Sequence, residues 1–422
     1  MTDALIVLMG DEIVGMVERS RSGTLSFRYA DRYRSGDGST PLSISMPLAV
    51  RNHPHAVVNP WLWNLLPESD AVLTRWARRF EVPASSPFGL LGTPVGLDCA
   101  GAVRFCAPER LEATLGRRGR VRWLSDDDVA GRLRALRGDA TAWLGPDFAG
   151  RFSLAGMQAK VALVHDGRRW GMPEGREATS HILKPAIAGL DGHDANEHLC
   201  LRAAERVGLS TVRSEIVEIG GERAVSVRRY DRVGRGAQLN RVHQEDLCQA
   251  LGLPPTAKYE SDGGPNASTV VALVRRVMPA RVAAAAIDQF VDALVWNWLV
   301  AGTDAHAKNY SLLLSGHEVR LAPLYDLASA LPYGDHERRL RMAMKVTGDY
   351  RLHARSATDW ARWAAELRLD GDRLVERVTT MIDAAPEAFV EAAAADRLDD
   401  AVSTRLLAAV DERAARLAKL MK

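Results

Sequence analysis

The 422 residues predict an α+β chain with a small β-rich amino-terminal domain, a mixed middle and a helical remainder. Three observations predict it. Short apolar segments alternating with polar residues crowd positions 5–46, the period-two pattern of half-buried strands. Strands and a helix follow one another from 151 to 230. From about Gly234 onward the apolar residues recur at helical spacing, apart from one hairpin. The expected divisions are 1–106, 107–233 and 234–422.

In the first division, Leu5–Met9, Glu12–Val17, Thr24–Tyr29 and Leu42–Met46 read as strands, with Gly10-Asp11 turning the first pair. A helical stretch covers Pro60–Phe80, and a Pro- and Gly-rich connector runs from Pro83 to Gly101. Residues 107–145 are charged and read as helical. Trp123-Leu124-Ser125-Asp126-Asp127-Asp128 marks a helix start, since acids sit well on a first turn. The middle division opens with a strand Arg151–Leu154, a turn Ala155-Gly156-Met157-Gln158 and a return strand Lys160–Val164. His181-Ile182-Leu183-Lys184-Pro185 is a strand carrying a lysine. A helix Asn196–Val207 and a hairpin follow, Val212–Ile219 joined through Gly220-Gly221 to Ala224–Tyr230. Strand, glycine-bearing turn, strand, lysine strand, helix, hairpin, linker is the element order of a kinase small lobe. Among the later helices, Ala385–Leu398 and Thr404–Leu420 are alanine-rich and amphipathic.

The densest chemistry lies in Thr303-Asp304-Ala305-His306-Ala307-Lys308-Asn309 and, further on, Leu324-Tyr325-Asp326. Asp304 and Asn309 have the spacing of the base and the metal-binding amide in a protein-kinase catalytic loop. Asp326 stands where a second metal-chelating carboxylate belongs. Mg²⁺ takes hard oxygen ligands and keeps several waters, so one carboxylate and one amide oxygen suffice to hold it against ATP phosphates. A further carboxylate orients a hydroxyl and accepts its proton. Between the two motifs, Tyr310–Leu314, Ser315-Gly316-His317 and Val319–Ala322 read as strand, turn and strand. A hairpin of that size brings its ends together and makes Asn309 and Asp326 neighbours. Taken singly, each of these residues has a commoner use in a turn or cap.

Other candidates carry two readings each. Lys184 on an apolar strand is costly unless paired, which ATP phosphates would resolve, or it snorkels to solvent from an edge. Glu197 pairs with Lys184 or, the favoured reading, reaches back to cap a helix begun by Asp194. Ser153, Ala155, Gly156, Gln158 and Lys160 form a poor glycine-rich loop that still allows close backbone approach to phosphate. In the linker Arg229-Tyr230-Asp231-Arg232, Asp231 suits ribose hydroxyls, or simply ends a strand. His306 bonds the loop backbone rather than moving protons, and Lys308 neutralises a phosphoryl group or faces solvent. Arg117-Arg118-Gly119-Arg120-Val121-Arg122, with acids close behind, reads as a solvated face.

Net charge is +2, too balanced for nucleic acid as the main ligand. Four cysteines without a Cys-x-x-Cys pair suggest reduced thiols in the cytoplasm, neither a disulfide framework nor a zinc site. The run Ala4–Met9 is too short for a signal peptide core, and Val282–Val300 is interrupted by Asp288, Asp292 and Asn297, so no membrane span is expected.

Together several segments resemble the HipA family of bacterial serine/threonine kinase toxins. They are Asn64-Leu65-Leu66-Pro67-Glu68, Ser153 to Lys160, His181 to Pro185, Asn196-Glu197 and Tyr230-Asp231-Arg232. They continue with His243-Gln244-Glu245-Asp246, Cys248 to Gly252, Lys258-Tyr259-Glu260 before Gly263-Gly264-Pro265, Thr303 to Asn309, and Leu321 to Asp326. The resemblance spans nearly the whole chain. It implies a two-lobed protein-kinase-like fold, distantly lipid-kinase-like, with an all-helical carboxyl-terminal lobe. It implies ATP and Mg²⁺ as cofactors, Asp304 as catalytic aspartate, Asn309 and Asp326 as metal ligands and Lys184 as phosphate contact. Asp231 and Gln244 would line the nucleotide site, with the backbone of Arg228 to Tyr230 around adenine. Ser153 would be the serine such kinases phosphorylate on themselves, ejecting its loop. A small DNA-binding antitoxin is the implied partner, with DNA contacted only through it, and a translation factor or aminoacyl-tRNA synthetase the implied target. Two positions depart from the pattern: Arg228 where an acid is usual, and Ser69 after Pro67-Glu68 where glycine is usual. A lipid or small-molecule kinase on the same scaffold, or a silent co-repressor, are the alternatives.

Overall fold

The computed structural model describes residues 3–116, 119–145, 151–235, 238–334 and 339–421. It forms two compact units, each assembled from three stretches of chain. The first holds Met1–Pro185, Val217–Pro255 and Ser311–Val319; the second holds Ala186–Ile216, Thr256–Tyr310 and Arg320–Lys422. These units cut across the expected divisions at 106 and 233.

In the first unit an antiparallel sheet has the spatial order Asn52–His53, Leu25–Tyr29, Glu12–Arg19, Ala4–Met9, Val103–Cys106. Ala4–Met9 is an interior strand and apolar at every position, because both its faces are covered. Leu5, Val7 and Met9 enter the main core, while Ile6 and Leu8 meet Cys106, Leu111 and Leu115. Leu42–Met46 is not the strand its alternation predicts. Tyr29 takes over the hydrogen bonds a neighbouring strand would make, donating from Oη to Met46 O at 2.5 Å and accepting from Leu42 N at 2.7 Å. The expected helix at Pro60–Phe80 is two helices, His55–Trp63 and Asp70–Phe80. Ser69 explains the second start: its hydroxyl caps the helix by accepting from Val72 N, a role glycine cannot fill.

The lysine strand sits inside a six-stranded sheet ordered Ser214–Ile219, Glu222–Arg228, His181–Pro185, Val161–His165, Trp170–Glu174, Arg120–Trp123. Arg120–Trp123, expected within a helical region, is its edge strand. Arg120 and Glu174 stand opposite in register and their side chains pair at 2.6 Å. Asp126–Gly138 is helical as the acids predict, with Ser125 and Asp128 forming a capping box. The expected strand Arg151–Leu154 is absent; Ser153 makes only a single parallel bridge to Cys99. A third sheet joins His243–Asp246 to the predicted hairpin, now Ser311–Ser315 and Glu318–Leu321. Gly316 turns the hairpin at φ 58°.

The second unit is mainly helical: His193–Arg206, Ala267–Val277, Ala280–Leu299, Ala357–Glu366, Gly371–Asp396 and Ala401–Ala418. It is not purely so, because Arg341–Val346 pairs with Asp349–Arg351. The acids that interrupt Ala280–Leu299 face another helix. Asp288 pairs with Arg373 and Arg377 at 2.8 and 2.7 Å, and Asp292 with Arg377 at 2.8 Å. Behind them Trp296 stacks on Phe389 with centroids 5.8 Å apart. Arg413, 1% exposed, closes the end of that helix by donating to the carbonyls of Leu299 and Trp298 at 2.8 and 2.9 Å. No helix among the described residues is long and apolar enough to cross a membrane.

Candidate active site

The helix Ala280–Leu299 delivers the chain to the loop at 303–309. Gly302 must be glycine, because a Cβ there would lie 2.2 Å from Asn297 Oδ1. Within the loop His306 N donates to Asp304 O at 2.8 Å and Asn309 N to His306 O at 2.9 Å, winding Ala307–Asn309 into a single helical turn. Ala307 N donates to Lys258 O at 3.0 Å, which docks the loop on the Lys258–Glu260 segment. From there Tyr259 Oη donates to Asp304 Oδ1 at 2.5 Å, and its ring meets His306 edge-on at 5.1 Å. Asp304 is thus exposed but aimed. His306 and Lys308 are buried, so solvent exposure is not the role of Lys308.

The hairpin does bring its two ends together. Tyr325 Oη donates to Lys308 O at 2.7 Å, which ties the residue before Asp326 to the residue before Asn309. Asp326 itself is exposed and held at φ 52°, a left-handed conformation that is uncommon outside glycine and clusters at functional sites. Asn309 is 8% exposed, and its Oδ1 is buried with no hydrogen-bond partner. An unsatisfied buried amide oxygen costs about 1–3 kcal/mol, and a hard cation is the kind of group that would satisfy it.

Asn196 is a residue whose part here was not foreseen. Its side chain clasps the backbone just past Asp326, Nδ2 donating to Ser329 O at 2.7 Å and Oδ1 accepting from Ser329 N at 3.0 Å. Ala330 N then donates to Ala301 O at 3.0 Å, closing the strap onto the entry of the 303–309 loop. The helix bearing Asn196 begins at His193, with Gly192 as N-cap at φ 70° and no side-chain cap. The expected Asp194–Glu197 cap is therefore corrected: both acids are buried, 2% and 1% exposed. Asn196→Ala strands two buried backbone groups. It is expected to cost about 2 kcal/mol, read as a lowered midpoint in urea unfolding.

The other predicted residues belong to the first unit. Ser153 is fully buried, its hydroxyl donating to Leu65 O at 2.8 Å and its N–H to Asp98 O at 3.0 Å. Gly156 lies at φ 106°, where an added Cβ would meet Lys160 Nζ at 2.7 Å. Lys160 Nζ donates to Ala155 O at 2.7 Å and lies 4.9 Å from the Trp143 ring centroid. Gln158 reaches Pro185 O at 3.5 Å. The turn is thus folded on itself. Lys184 is buried on an interior strand, so the edge-lysine reading fails. Tyr230 Oη donates to Gln244 Oε1.

Asp231 does not fit the ribose role. It is 3% exposed, and its carboxylate accepts from Arg229 Nε and Nη2 at 3.0 and 2.7 Å and from Gly101 N at 2.7 Å. It shares a buried ion cluster with Asp98, Arg229, Arg232 and Arg241. Burial alone would raise the Asp98 pKa, but the guanidiniums of Arg232, Arg229 and Arg241 together hold it well below the usual carboxylate range.

Comparison with known proteins places the chain in a family. The family models described as HipA N-terminal domain and HipA-like C-terminal domain match residues 5–106 and 152–389. The putative kinase Y4mE of Sinorhizobium fredii is 35% identical over 387 residues, covering 89% of this chain and 88% of that one. The serine/threonine-protein kinase toxin HipA of Shewanella oneidensis is 28% identical over 397 residues, covering 91% and 88%. Among solved structures, a chain from the complex of Shewanella oneidensis HipA, HipB and operator DNA has the same fold. It matches with a TM-score of 0.82 at 24% identity, over 99% of this chain and all of that one. Fold, loop and relatives define an enzyme, a kinase of the serine/threonine class. The chain belongs to the HipA family.

Proposed function

We propose that this kinase transfers the γ-phosphoryl of ATP to a protein serine and is the toxin of a toxin–antitoxin pair. The observation that carries the reading is the buried, unpartnered Oδ1 of Asn309 beside an aimed Asp304. Asn309 and Asp326 would hold Mg²⁺, which when bound offsets the charge on the phosphates. Asp304 orients the serine hydroxyl and accepts its proton, while the Tyr259 hydroxyl fixes which way the carboxylate faces. Lys184, buried on an interior strand of the six-stranded sheet, contacts phosphate. The Arg228–Tyr230 backbone and Gln244 complete the proposed nucleotide contacts, without the Asp231 carboxylate.

Ser153 is the proposed self-phosphorylation site. A phosphoryl group of nearly two charges has no room where Ser153 Oγ now sits against Leu65 O, so the modified loop must leave. Incubation of the full chain with Mg·ATP is expected to add one phosphate by intact mass. The added mass should be absent from Ser153→Ala and from Asp304→Asn; an unmodified wild type with bound ATP would refute the assignment. The proposed partner is a small DNA-binding antitoxin. The Shewanella complex with HipB and operator DNA supports it, as does a net charge of +2 that favours DNA contact through a partner. The proposed target is a translation factor or aminoacyl-tRNA synthetase, to be sought by phosphoproteomics against the Asp304 variant. Four free cysteines suit a reducing cytoplasm.

A further inference from the structure

The sheet that carries Lys184 has a second face. Lys184 stands opposite Val225, and His181 opposite Arg228. Side chains alternate along a strand, so His181 and Arg228 share the face turned away from Lys184. A cavity of about 260 Å³ opens there, lined by His165, Ser180, His181, Arg228 and Arg232 among others.

Its walls are held in place. Trp170 stacks on His165 with centroids 4.2 Å apart, and His165 meets His181 edge-on at 5.4 Å. Ser180 Oγ accepts from His165 N at 2.9 Å and lies 2.8 Å from His181 Nδ1. That contact leaves Nε2 of His181 on the far side of the ring from Ser180. The Arg228 side chain is exposed and makes no hydrogen bond or ion pair among the described residues. Arg232 is 3% exposed. Its Nη atoms donate to Gly101 O, Asp231 O, Asp98 Oδ1 and Cys99 O, yet its Nε is buried with no partner.

Behind the cavity, Arg229, Arg232 and Arg241 pair with the carboxylates of Asp98 and Asp231, and Glu177 acts on Arg241 and Arg176. Asp166 also lines the cavity, but its carboxylate is occupied by Arg168 N, Arg169 N and the Arg169 guanidinium at 2.9, 2.8 and 3.3 Å. Burial, then His165 and Arg228, push the His181 imidazole down to about 4. Arg228, the buried Nε of Arg232 and the two imidazoles thus turn a cation and hydrogen-bond donors toward one cavity, the chemistry that recognises an anion.

We propose that this cavity binds a phosphate dianion, free or as the phosphate of a nucleoside monophosphate, through Arg228, Arg232 and the two imidazoles. Full-length protein labelled with ¹⁵N-histidine is titrated with sodium phosphate, with AMP, and with sodium chloride at matched ionic strength. Phosphate is expected to shift the His165 and His181 signals saturably and to raise the His181 titration midpoint by about one unit or more. Arg228→Glu should abolish the response and Arg228→Lys retain part of it. Lys184→Met, on the opposite face, should leave it intact. AMP acting at lower concentration than phosphate would identify nucleotides as the source, and AMP without effect would identify free phosphate. A response equalled by chloride, or unchanged in Arg228→Glu, would overturn the site.

Discussion

Replacing Asp304 by Asn is expected to slow phosphoryl transfer to a serine by about 10²–10⁴-fold, the usual worth of a positioned general base. Asparagine keeps the volume and still accepts the hydrogen bond from Tyr259, so the loop should fold as before and the loss should appear in kcat. Steady-state rates on a serine-containing peptide, or the rate of self-modification, would measure it. Tyr259→Phe tests the same geometry from the other side. It removes the bond that aims Asp304 and leaves the base, so its loss should be smaller and again fall on kcat. Equal rates for Asp304→Asn and wild type would remove the aspartate from the chemistry.

The largest expected effect on stability lies elsewhere, at Asp98. Its carboxylate accepts from Thr179 N and Oγ1 at 3.0 and 2.6 Å and pairs with Arg232 at 2.9 Å, Arg241 at 3.2 Å and Arg229 at 3.4 Å. Asp98→Ala leaves guanidiniums buried without their partner, a change that costs about 3–5 kcal/mol. Urea unfolding of the two proteins would measure it. The pH dependence has a definite sign. Because the folded pKa of Asp98 is depressed, its contribution is fully present above the unfolded value of about 3.9 and disappears as pH falls through the folded value. Acid should therefore narrow the gap between wild type and Asp98→Ala, whereas raising the pH from 5 to 8 should leave the gap unchanged.

Much of the candidate site was legible because it is local. Asp304, Asn309 and Asp326 announce themselves by residue type and order, and the strands of the intervening hairpin are apolar runs around a Ser-Gly-His turn. The lysine strand was legible for the same reason. What escaped depends on partners distant in sequence. Nothing near Asp98 predicts that Arg229, Arg232 and Arg241 will surround it. Asp231 read as a ligand-facing acid because its neighbours in sequence, Arg229 and Arg232, gave no sign that they would turn inward with it. Asn196 and Tyr259 lie within segments that resemble the family, yet their roles needed Ser329 and Asp304 brought beside them. The misread strands have a similar cause. Leu42–Met46 alternates correctly, but a tyrosine side chain supplies its hydrogen bonds. Arg120–Trp123 hid its period of two under charge.

The interleaved chain path bears on how this protein is made and cut. Among the described residues His243–Asp246 pairs with Ser311–Ser315 alone, so the first unit cannot finish folding until the ribosome has released that later stretch. A cut near 233 would divide the paired strands Arg232–Arg235 and Gln238–Arg241 and take Ser311–Val319 away from the rest of the first unit. Expression of either half alone should give aggregates, and only trimming near the two termini should give soluble material.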